Sequence, residues 1–229
     1  MKKPGLTAQK VGLLGSLYFA QGLPFGFFTQ ALPVLMRRQG YSLRGIGLSS
    51  LLAAPWALKF LWAPLVDAHG SPVIGRRRSW IVPLQLLATT ALAATSAAPP
   101  CRMPLLLAAV LVINLLCATQ DIATDGLAVD ILSPGEWGLA NGLQVAGYRV
   151  GMIIGGGALL AALGLLGWRG TCLVMAAALA LSTVPILGFH ERLTVRCGPP
   201  HRHTFIHRPG AWRILALSSG MPPRSGCSS

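Results

Sequence analysis

Charge is scarce in this sequence. Asp, Glu, Lys and Arg make up 11% of its 229 residues, and only six residues are acidic. Because a soluble domain usually carries about 25% charged residues, so few charges cannot cover a water-exposed surface. Hydrophobic residues instead make up 53% and occur in long runs, with a mean hydropathy of +0.59. We therefore predict an integral membrane protein whose solvent is lipid.

The sequence also lacks the motifs of metal sites and enzymes. No two of its five cysteines stand at CxxC spacing, and their odd number argues against a disulfide framework. Cys117 and Cys172 lie within apolar runs, where cysteine packs as a small hydrophobic residue. Nucleophile elbows and phosphate-binding loops are missing as well. We predict no metal, no organic cofactor and no enzymatic activity.

The positive charge has a distribution that favours a membrane role. A net charge of +13 would suit nucleic acid, but the basic residues lie mostly at the ends of apolar runs and are not interleaved with aromatic residues. We therefore expect no nucleic-acid partner. The Lys and Arg distribution favours a cytoplasmic amino terminus, with the triplet Arg76, Arg77 and Arg78 contributing most. A bacterial inner membrane is the expected location.

Six apolar segments are long enough to cross a hydrocarbon core of about 30 Å, which takes about 20 helical residues. The short breaks between them carry polar or turn residues, and the shortest is at Gly167. We predict an all-α membrane protein with a six-helix bundle over residues 1–190. Its spans are 11–36, 45–66, 79–98, 104–130, 137–165 and 168–189.

The carboxyl-terminal part has a different composition. Residues 191–210 are rich in His, Arg and Pro, which predicts a cytoplasmic loop. Residues 211–217 read as the start of a seventh helix, and a polar stretch follows at once to residue 229. We predict an aborted seventh helix in a truncated or frame-shifted chain. A natural six-span protein with a disordered tail is the alternative.

The fourth predicted span contains two carboxylates. Asp121 and Asp125 are four residues apart, so they share one helix face, and charges inside a bilayer are costly unless they face a partner or a polar cavity. Arg149 on the fifth span lies at a matching depth and is the predicted ion-pair partner of Asp121. These three residues predict a proton-linked or solute-binding site, with a purely structural ion pair as the alternative.

Glycine and glutamine residues mark two further features. Gly147, Gly151 and Gly155 recur every four residues, a pattern that predicts close helix packing. Tyr148 lies beside this stripe and joins the candidate solute site. In the first span, Pro24 and Pro33 predict kinks where Gln21 and Gln30 can meet solute, although packing alone can also explain the prolines.

The loop between the second and third spans carries opposite charges at its ends. Asp67 closes one predicted helix, and Gly75, Arg76, Arg77 and Arg78 precede the next. This arrangement suits a cytoplasmic charge latch, and simple charge anchoring is the alternative.

Several motifs together resemble one family. The loop is similar to the signature loop of the major facilitator superfamily, although the stretch between Asp67 and Gly75 is longer than usual. A closer resemblance is to the AmpG muropeptide permeases and the related acetyl-coenzyme A transporters, and residues 32–67 also resemble major facilitator superfamily domain-containing protein 3. The matching stretches within residues 10–190 are 21–24, 55–67, 75–80, 118–125 and 147–151.

The resemblance implies one half of a twelve-helix secondary transporter. Such carriers place a solute cavity between two six-helix halves, and their signature loop helps to gate alternating access. The implied activity is proton-coupled import of a muropeptide-like solute. An acetyl-coenzyme A transporter-like carrier and an inactive membrane remnant are the alternatives. The expected partners are the lipid bilayer, a small solute, protons, and either the missing carboxyl-terminal half or a second copy of the chain.

Overall fold

The computed structural model describes residues 7–71, 74–98 and 102–189. The predicted cytoplasmic loop 191–210 and the predicted aborted helix with its tail, 211–229, lie outside these ranges. Within them the chain is helical, and its only β-type pairing is an isolated bridge between Ser71 and Gly75.

The described ranges contain α-helices, two π-helical segments and three 3₁₀ segments. The α-helices are α1 Ala8–Gly26, α2 Leu32–Arg38, α3 Leu43–Ser49, α4 Ala54–Leu58, α5 Ala63–Ala68, α6 Arg78–Thr95, α7 Met103–Ile131, α8 Trp137–Met152, α9 Leu159–Ser182 and α10 Val184–Gly188. The π segments are Phe27–Ala31 and Ile153–Ala158, which continue α1 and α8. The 3₁₀ segments are Ser50–Ala53, Lys59–Leu61 and Pro134–Glu136.

Three helical stretches among the described residues are long and apolar enough to cross a membrane. They are Ala8–Arg38, Met103–Ile131 and Pro134–Gly188. The last one is interrupted at Gly167, whose φ of 66° and ψ of 178° lie outside the helical region. A residue with a side chain rarely adopts this φ, so glycine permits the break. The break predicted from the sequence at this residue is therefore present.

The predicted span 45–66 is helical but broken. It consists of α3, α4 and α5 with 3₁₀ turns between them. Pro55 and Pro64 lie in the first turns of α4 and α5. Proline has no N–H to donate to the preceding turn, so the hydrogen-bond ladder is interrupted there, and its fixed φ suits the first turn of a new helix.

The core of the bundle surrounds α1. Leu14, Leu17 and Leu23 on this helix are fully buried, and α1 contacts α7, α8 and α9. Large apolar side chains are exposed on the outside of the bundle, with Leu43 at 74% and Leu165 at 91%. Such an apolar exterior is destabilising in water but suits contact with lipid.

The interface between α1 and α8 is made of backbone against backbone. A Cβ atom placed on Gly151 would overlap the carbonyl oxygen of Phe19, and one on Gly155 would overlap that of Leu23. From the other side, a Cβ on Gly22 would overlap the carbonyl oxygen of Tyr148. The glycines on both helices are therefore what lets the two backbones approach so closely.

Candidate functional site

The two aspartates of α7 lie in the interior of the bundle. Asp121 is 6% exposed and Asp125 is half-buried one turn further along the helix. Because a buried carboxylate is stable only with partners, both aspartates require neighbouring groups that donate hydrogen bonds or carry positive charge.

Lys59, rather than Arg149, is the ion-pair partner of Asp121. The Lys59 Nζ contacts Asp121 Oδ2 directly, and it also lies 5.9 Å from the centre of the Trp56 ring. This corrects the predicted Asp121–Arg149 pair. The reason is local: the 3₁₀ turn that begins at Lys59 turns its side chain toward α7.

Arg149 is placed differently from the prediction. Its side chain is exposed, and its Nη1 lies 3.9 Å from Met152 Sδ on the same helix. Arg149 nevertheless lines the same cavity as Asp121. Its guanidinium is therefore available to a group that enters that cavity.

Asp125 has neutral partners on two other helices. The Tyr18 hydroxyl of α1 donates a hydrogen bond of 3.0 Å to Asp125 Oδ1. The Gln144 Nε2 of α8 donates one of 3.2 Å to the same oxygen. Asp125 thus connects α1, α7 and α8 without an ion pair of its own in the described part of the chain.

Side-chain hydrogen bonds hold the broken segment 43–68 against α7. The Trp56 Nε1 donates to Asn114 Oδ1 at 3.4 Å, and the Trp62 Nε1 donates to Thr119 Oγ1 at 3.2 Å. Asn114 Nδ2 in turn donates to the Leu52 carbonyl at 2.9 Å. These contacts flank Lys59 on both sides and fix its position relative to Asp121.

A cavity of about 490 Å³ opens beside the Asp121–Lys59 pair, and we call it the first cavity. Its lining combines aromatic, amide and charged side chains. The lining residues are Tyr18, Gln21, Phe25, Trp56, Asp121, Asn141, Gln144, Val145, Tyr148, Arg149 and Met152.

Gln21 stands out within this lining. It is 1% exposed, and neither its Oε1 nor its Nε2 has a hydrogen-bond partner in the structure. A buried amide without partners costs about 1–3 kcal/mol, so such a group usually has a functional reason. Both atoms therefore have unused hydrogen-bonding capacity in a residue that lines the first cavity.

Three rings form an aromatic cluster on one wall of the first cavity. Phe25 lies 5.5 Å from Trp56 and 5.6 Å from Tyr148, and Trp56 lies 6.3 Å from Tyr148. The Phe25–Trp56 and Trp56–Tyr148 pairs are edge-to-face, which is a favourable geometry for aromatic rings. The cluster provides a firm apolar wall next to charged groups.

The structure places the other predicted solute residue, Gln30, elsewhere. Gln30 is exposed in the first π segment, where its carboxamide lies against Gly156. Gln21, Tyr148, Asp121 and Arg149 therefore share one cavity, whereas Gln30 lies at the contact between the two π segments.

The predicted charge latch brings together three parts of the chain. Arg77 contacts Asp67 directly and also Asp130 at the end of α7, where its Nε lies 3.2 Å from Asp130 Oδ2. Arg76 reaches the same oxygen at 3.4 Å. Burial lowers the pKa of Arg77, but hydrogen bonds to Asp67 and Asp130 outweigh it, so the net shift is upward.

The remaining latch residues shape the turn. Gly75 adopts a φ of 109°, which favours glycine. Arg78 begins α6 and donates to the Leu187 carbonyl at 2.8 Å. An acid at a helix end is common, so the sequence offers no reason to connect Asp130 with the charge latch. The fold shows that Asp130 contacts both Arg76 and Arg77.

A second ion pair lies at the same end of the bundle. Lys10 Nζ is 2.9 Å from Glu136 Oε2, and that oxygen also accepts hydrogen bonds from the Ser133 backbone and hydroxyl. We call this end of the bundle, with Lys10, Arg76, Arg77, Asp130 and Glu136, the basic end.

Comparison with known proteins assigns the family. The sequence model of the acetyl-coenzyme A transporter 1 family matches residues 10–98 and 99–162. The chain belongs to this family. Among its relatives, the anhydromuropeptide permease of Escherichia coli K12 is 36% identical over 215 residues, covering 88% of this chain and 43% of the permease.

Further relatives include bacterial and fungal proteins. A putative transporter, AmpG 4, of Rickettsia felis is 30% identical over 186 residues, covering 79% of this chain and 45% of that protein. An uncharacterized membrane protein of Saccharomyces cerevisiae is 35% identical over 163 residues, covering 61% of this chain and 29% of that protein. The chain thus spans less than half the length of these curated relatives.

These matches confirm the resemblance to AmpG-like permeases and acetyl-coenzyme A transporters. The chain is therefore an integral membrane protein of a transporter family. Among the residues that the structure describes, no group of three His, Cys, Asp or Glu side chains could hold a metal ion, and Cys117 and Cys172 are buried free thiols. The absence of a cofactor and of enzymatic activity stays a prediction.

Proposed function

We propose that this chain forms six transmembrane helices that serve as one half of a proton-coupled carrier, and that the carrier imports a muropeptide-like solute. The observation that carries the proposal is the buried Asp121–Lys59 pair, which lies at the edge of an aromatic-lined cavity inside a membrane bundle. Charges in such a place are costly, and in membrane proteins they usually mark ion or solute pathways.

The pair suggests how protons and solute are coupled. With Asp121 ionised and Lys59 protonated, the two charges neutralise each other, which reduces their cost in a low-dielectric interior. When Asp121 gains a proton, Lys59 loses its partner and its ammonium becomes available to a solute anion. Arg149, which lines the cavity, offers a second cation to the same anion.

The remaining cavity groups suit a solute with both polar and ring-like parts. The cluster of Phe25, Trp56 and Tyr148 can pack against an apolar or sugar face. Gln21 can donate one hydrogen bond and accept another. A muropeptide-like solute carries groups of all these kinds, and the name of the Escherichia coli relative supports this choice.

The proposed orientation places the basic end in the cytoplasm of a bacterium, so that the amino terminus is also inside. The cavity requires a second wall, which we assign to a carboxyl-terminal half or to a second copy of this chain. The domain division, with a bundle to residue 190 and separate segments over 191–210 and 211–229, belongs to the same proposal.

Uptake measurements test the proposal directly. We would express the chain in Escherichia coli cells without their own anhydromuropeptide permease and measure entry of a labelled anhydromuropeptide, with and without an agent that dissipates the proton gradient. Expected is uptake that requires the gradient. Lys59→Gln should reduce it at least about tenfold, because Asp121 is left without its counter-ion.

The matched control is Arg44→Gln. Arg44 is an exposed cation on α3, in the same broken segment as Lys59, so this substitution removes a charge without touching the pair. Uptake close to that of the parent is expected. Well-folded protein in the membrane that takes up no anhydromuropeptide would contradict the proposed import activity and favour an inactive membrane remnant.

An acetyl-coenzyme A transporter-like carrier is the second candidate, and the family match supports it. Acetyl-coenzyme A carries several phosphate charges, so it would engage Lys59 and Arg149 together. Uptake of labelled acetyl-coenzyme A into proteoliposomes, with no uptake of anhydromuropeptide, would select this candidate over the first.

A further inference from the structure

A second cavity lies directly beside the first. It measures about 300 Å³, and like the first it is lined by α1, α7 and α8. Its lining residues are Leu14, Tyr18, Asp125, Ala128, Val129, Leu132, Trp137, Ala140, Asn141 and Gln144. Tyr18, Asn141 and Gln144 line both cavities.

The two cavities follow one another along a single groove. On α7 the first cavity is lined by Asp121, while the second is lined by Asp125 and then by residues up to Leu132. On α8 the order is reversed, since Trp137 lines the second cavity and Met152 the first. The second cavity therefore lies toward the basic end, next to the turn that joins α7 to α8.

A hydrogen-bonded partition crosses the groove where the cavities meet. The Tyr18 hydroxyl and the Gln144 Nε2 both donate to Asp125 Oδ1, at 3.0 and 3.2 Å. Tyr18 comes from α1 and Gln144 from α8, so the partition extends from one wall of the groove to the other. We call these three residues the partition.

The polar groups of the two cavities differ in whether they already have hydrogen-bond partners. In the first cavity Gln21 is buried with both amide atoms unpartnered, and Arg149 contacts only a sulfur atom in the described contacts. In the second cavity the Asp125 carboxylate already accepts two hydrogen bonds, and the rest of the lining is mostly apolar. The first cavity offers groups to a ligand, whereas the second offers only a route to one carboxylate.

We propose that solute and proton use different cavities: solute occupies the first, and protons leave Asp125 for the basic end through water in the second. In this step the Asp125 carboxyl group transfers its proton to a water molecule, which becomes hydronium, and the carboxylate remains. Tyr18 and Gln144 are positioning residues that hold the carboxyl oxygen and keep solute out of the proton route. The inference rests on the proposed carrier function.

The charged and titratable groups around Asp125 come from each packed element. Tyr18 faces it from α1, and Gln144 is its uncharged neighbour on α8. Asp121 lies one turn away on α7, with Lys59 of the 3₁₀ turn as its counter-ion. A proton on Asp125 is thus one helical turn from the coupled ion pair, about 6 Å along the axis.

Thiol labelling tests whether the two cavities are separate, and it does not require transport of a solute. In a background with all five cysteines replaced, one cysteine is introduced at Ala128, which lines only the second cavity, or at Met152, which lines only the first. A membrane-impermeant cationic methanethiosulfonate reagent is added from the side of the basic end. Ala128→Cys should react at least about tenfold faster than Met152→Cys, because water must reach a thiol before it can ionise and react.

Opening the partition should remove this difference. Gln144→Ala or Tyr18→Ala is expected to raise the labelling rate of Met152→Cys toward that of Ala128→Cys. Tyr18→Phe keeps the ring and should leave the rate low, as should Tyr41→Phe, which alters an exposed tyrosine far along the chain. Gln144→Ala serves as the second variant, since Tyr18 is buried and Tyr18→Ala can impair folding.

Each other result overturns the inference. If both thiols react rapidly in the parent, no partition exists, and if both react slowly, the second cavity is not open to the basic end. A slow Met152→Cys that neither Ala variant accelerates shows that other residues separate the cavities. Because labelling needs no solute, a carrier that fails the uptake test can still pass this one, and the two failures remain distinguishable.

Discussion

The α1–α8 interface and the broken segment 43–68 are held in the bundle by different kinds of contact. The interface has almost no side chains, because glycines on both helices bring carbonyl groups into the space where Cβ atoms would stand. The segment is held mainly through side chains: two tryptophan hydrogen bonds, the bond from Asn114 to the Leu52 carbonyl, and the ion pairs of Lys59 and Asp67.

The difference indicates a division of roles between scaffold and switch. Backbone packing has no rotamers to change, so we expect α1 and α8 to move together. Side-chain contacts can exchange partners one at a time, and the 43–68 segment is already divided by proline-started turns. The lysine that pairs with the buried aspartate is carried by the region that is easier to rearrange.

The largest effect should come from adding one methyl group to the rigid region. In Gly155→Ala the new Cβ would overlap the Leu23 carbonyl oxygen, which is backbone and cannot turn aside. We expect the free energy of unfolding to fall by more than about 3 kcal/mol, above the usual range for overpacking because the overlap is with backbone, and the measurement is a lower Tm in detergent. Gly157→Ala, in the same π segment but with no atom within 4 Å, is the matched control and should unfold like the parent. Equal Tm values for the two variants would contradict the close packing.

Removing the cation from the broken segment should have the next largest effect. Lys59→Met leaves the Asp121 carboxylate buried without its counter-ion, which costs about 3 kcal/mol at the low end of the range for buried pairs, since the Lys59 side chain is 33% exposed. Adding Asp121→Asn should restore most of the lost stability. Chemical denaturation of the single and double variants measures this, and a double variant no better than Lys59→Met would show that the pair is not what stabilises the contact.

The sequence allowed prediction of much of the membrane fold but less of the site. Long apolar runs place α1, α6 and α7 correctly, and the break at Gly167 follows from a glycine between apolar segments. The 3₁₀ turn that directs Lys59 inward depends on how segment 43–68 packs on α7, so hydropathy carries no signal for it.

The Asp121 partner illustrates the same limit. Depth along sequential helices favours Arg149, but depth says nothing about the direction in which a side chain leaves its helix. A sequence signal for Lys59 did exist, because an ammonium within an apolar run also needs a partner. Tyr18 and Gln144 are neutral hydrogen-bond donors, so the sequence carried no signal for their contacts with Asp125, which the fold shows.

A smaller effect should follow from loosening the broken segment without touching a charge. Trp56→Phe keeps an aromatic ring against Phe25 but removes the hydrogen bond to Asn114, with an expected loss of about 1 kcal/mol. Thermal unfolding measures it. Trp137→Phe serves as control, because Trp137 is 52% exposed. A Trp56→Phe variant as stable as this control would indicate that the segment does not depend on its tryptophan hydrogen bonds.

The smallest effect should come from the exposed ion pair at the basic end. Arg76 and Asp130 meet at 3.4 Å with side chains 48% and 40% exposed. Such pairs contribute at most about 1 kcal/mol and are weakened by salt. A double-mutant cycle with Arg76→Gln and Asp130→Asn, at low and high salt, measures the coupling. A coupling that high salt leaves intact would show that the latch is shielded from solvent.

The two π segments have a consequence for how relatives of this chain can change in length. Phe27–Ala31 and Ile153–Ala158 contact each other, so the widened turns of the two helices lie at the same level. Losing one residue from either segment alone would rotate the helix that follows it by about 100°, so α2 or α9 would present a different face to its neighbours. We therefore expect relatives to gain or lose residues in both segments together. A relative that changes only one segment would need new packing contacts for the helix that follows it.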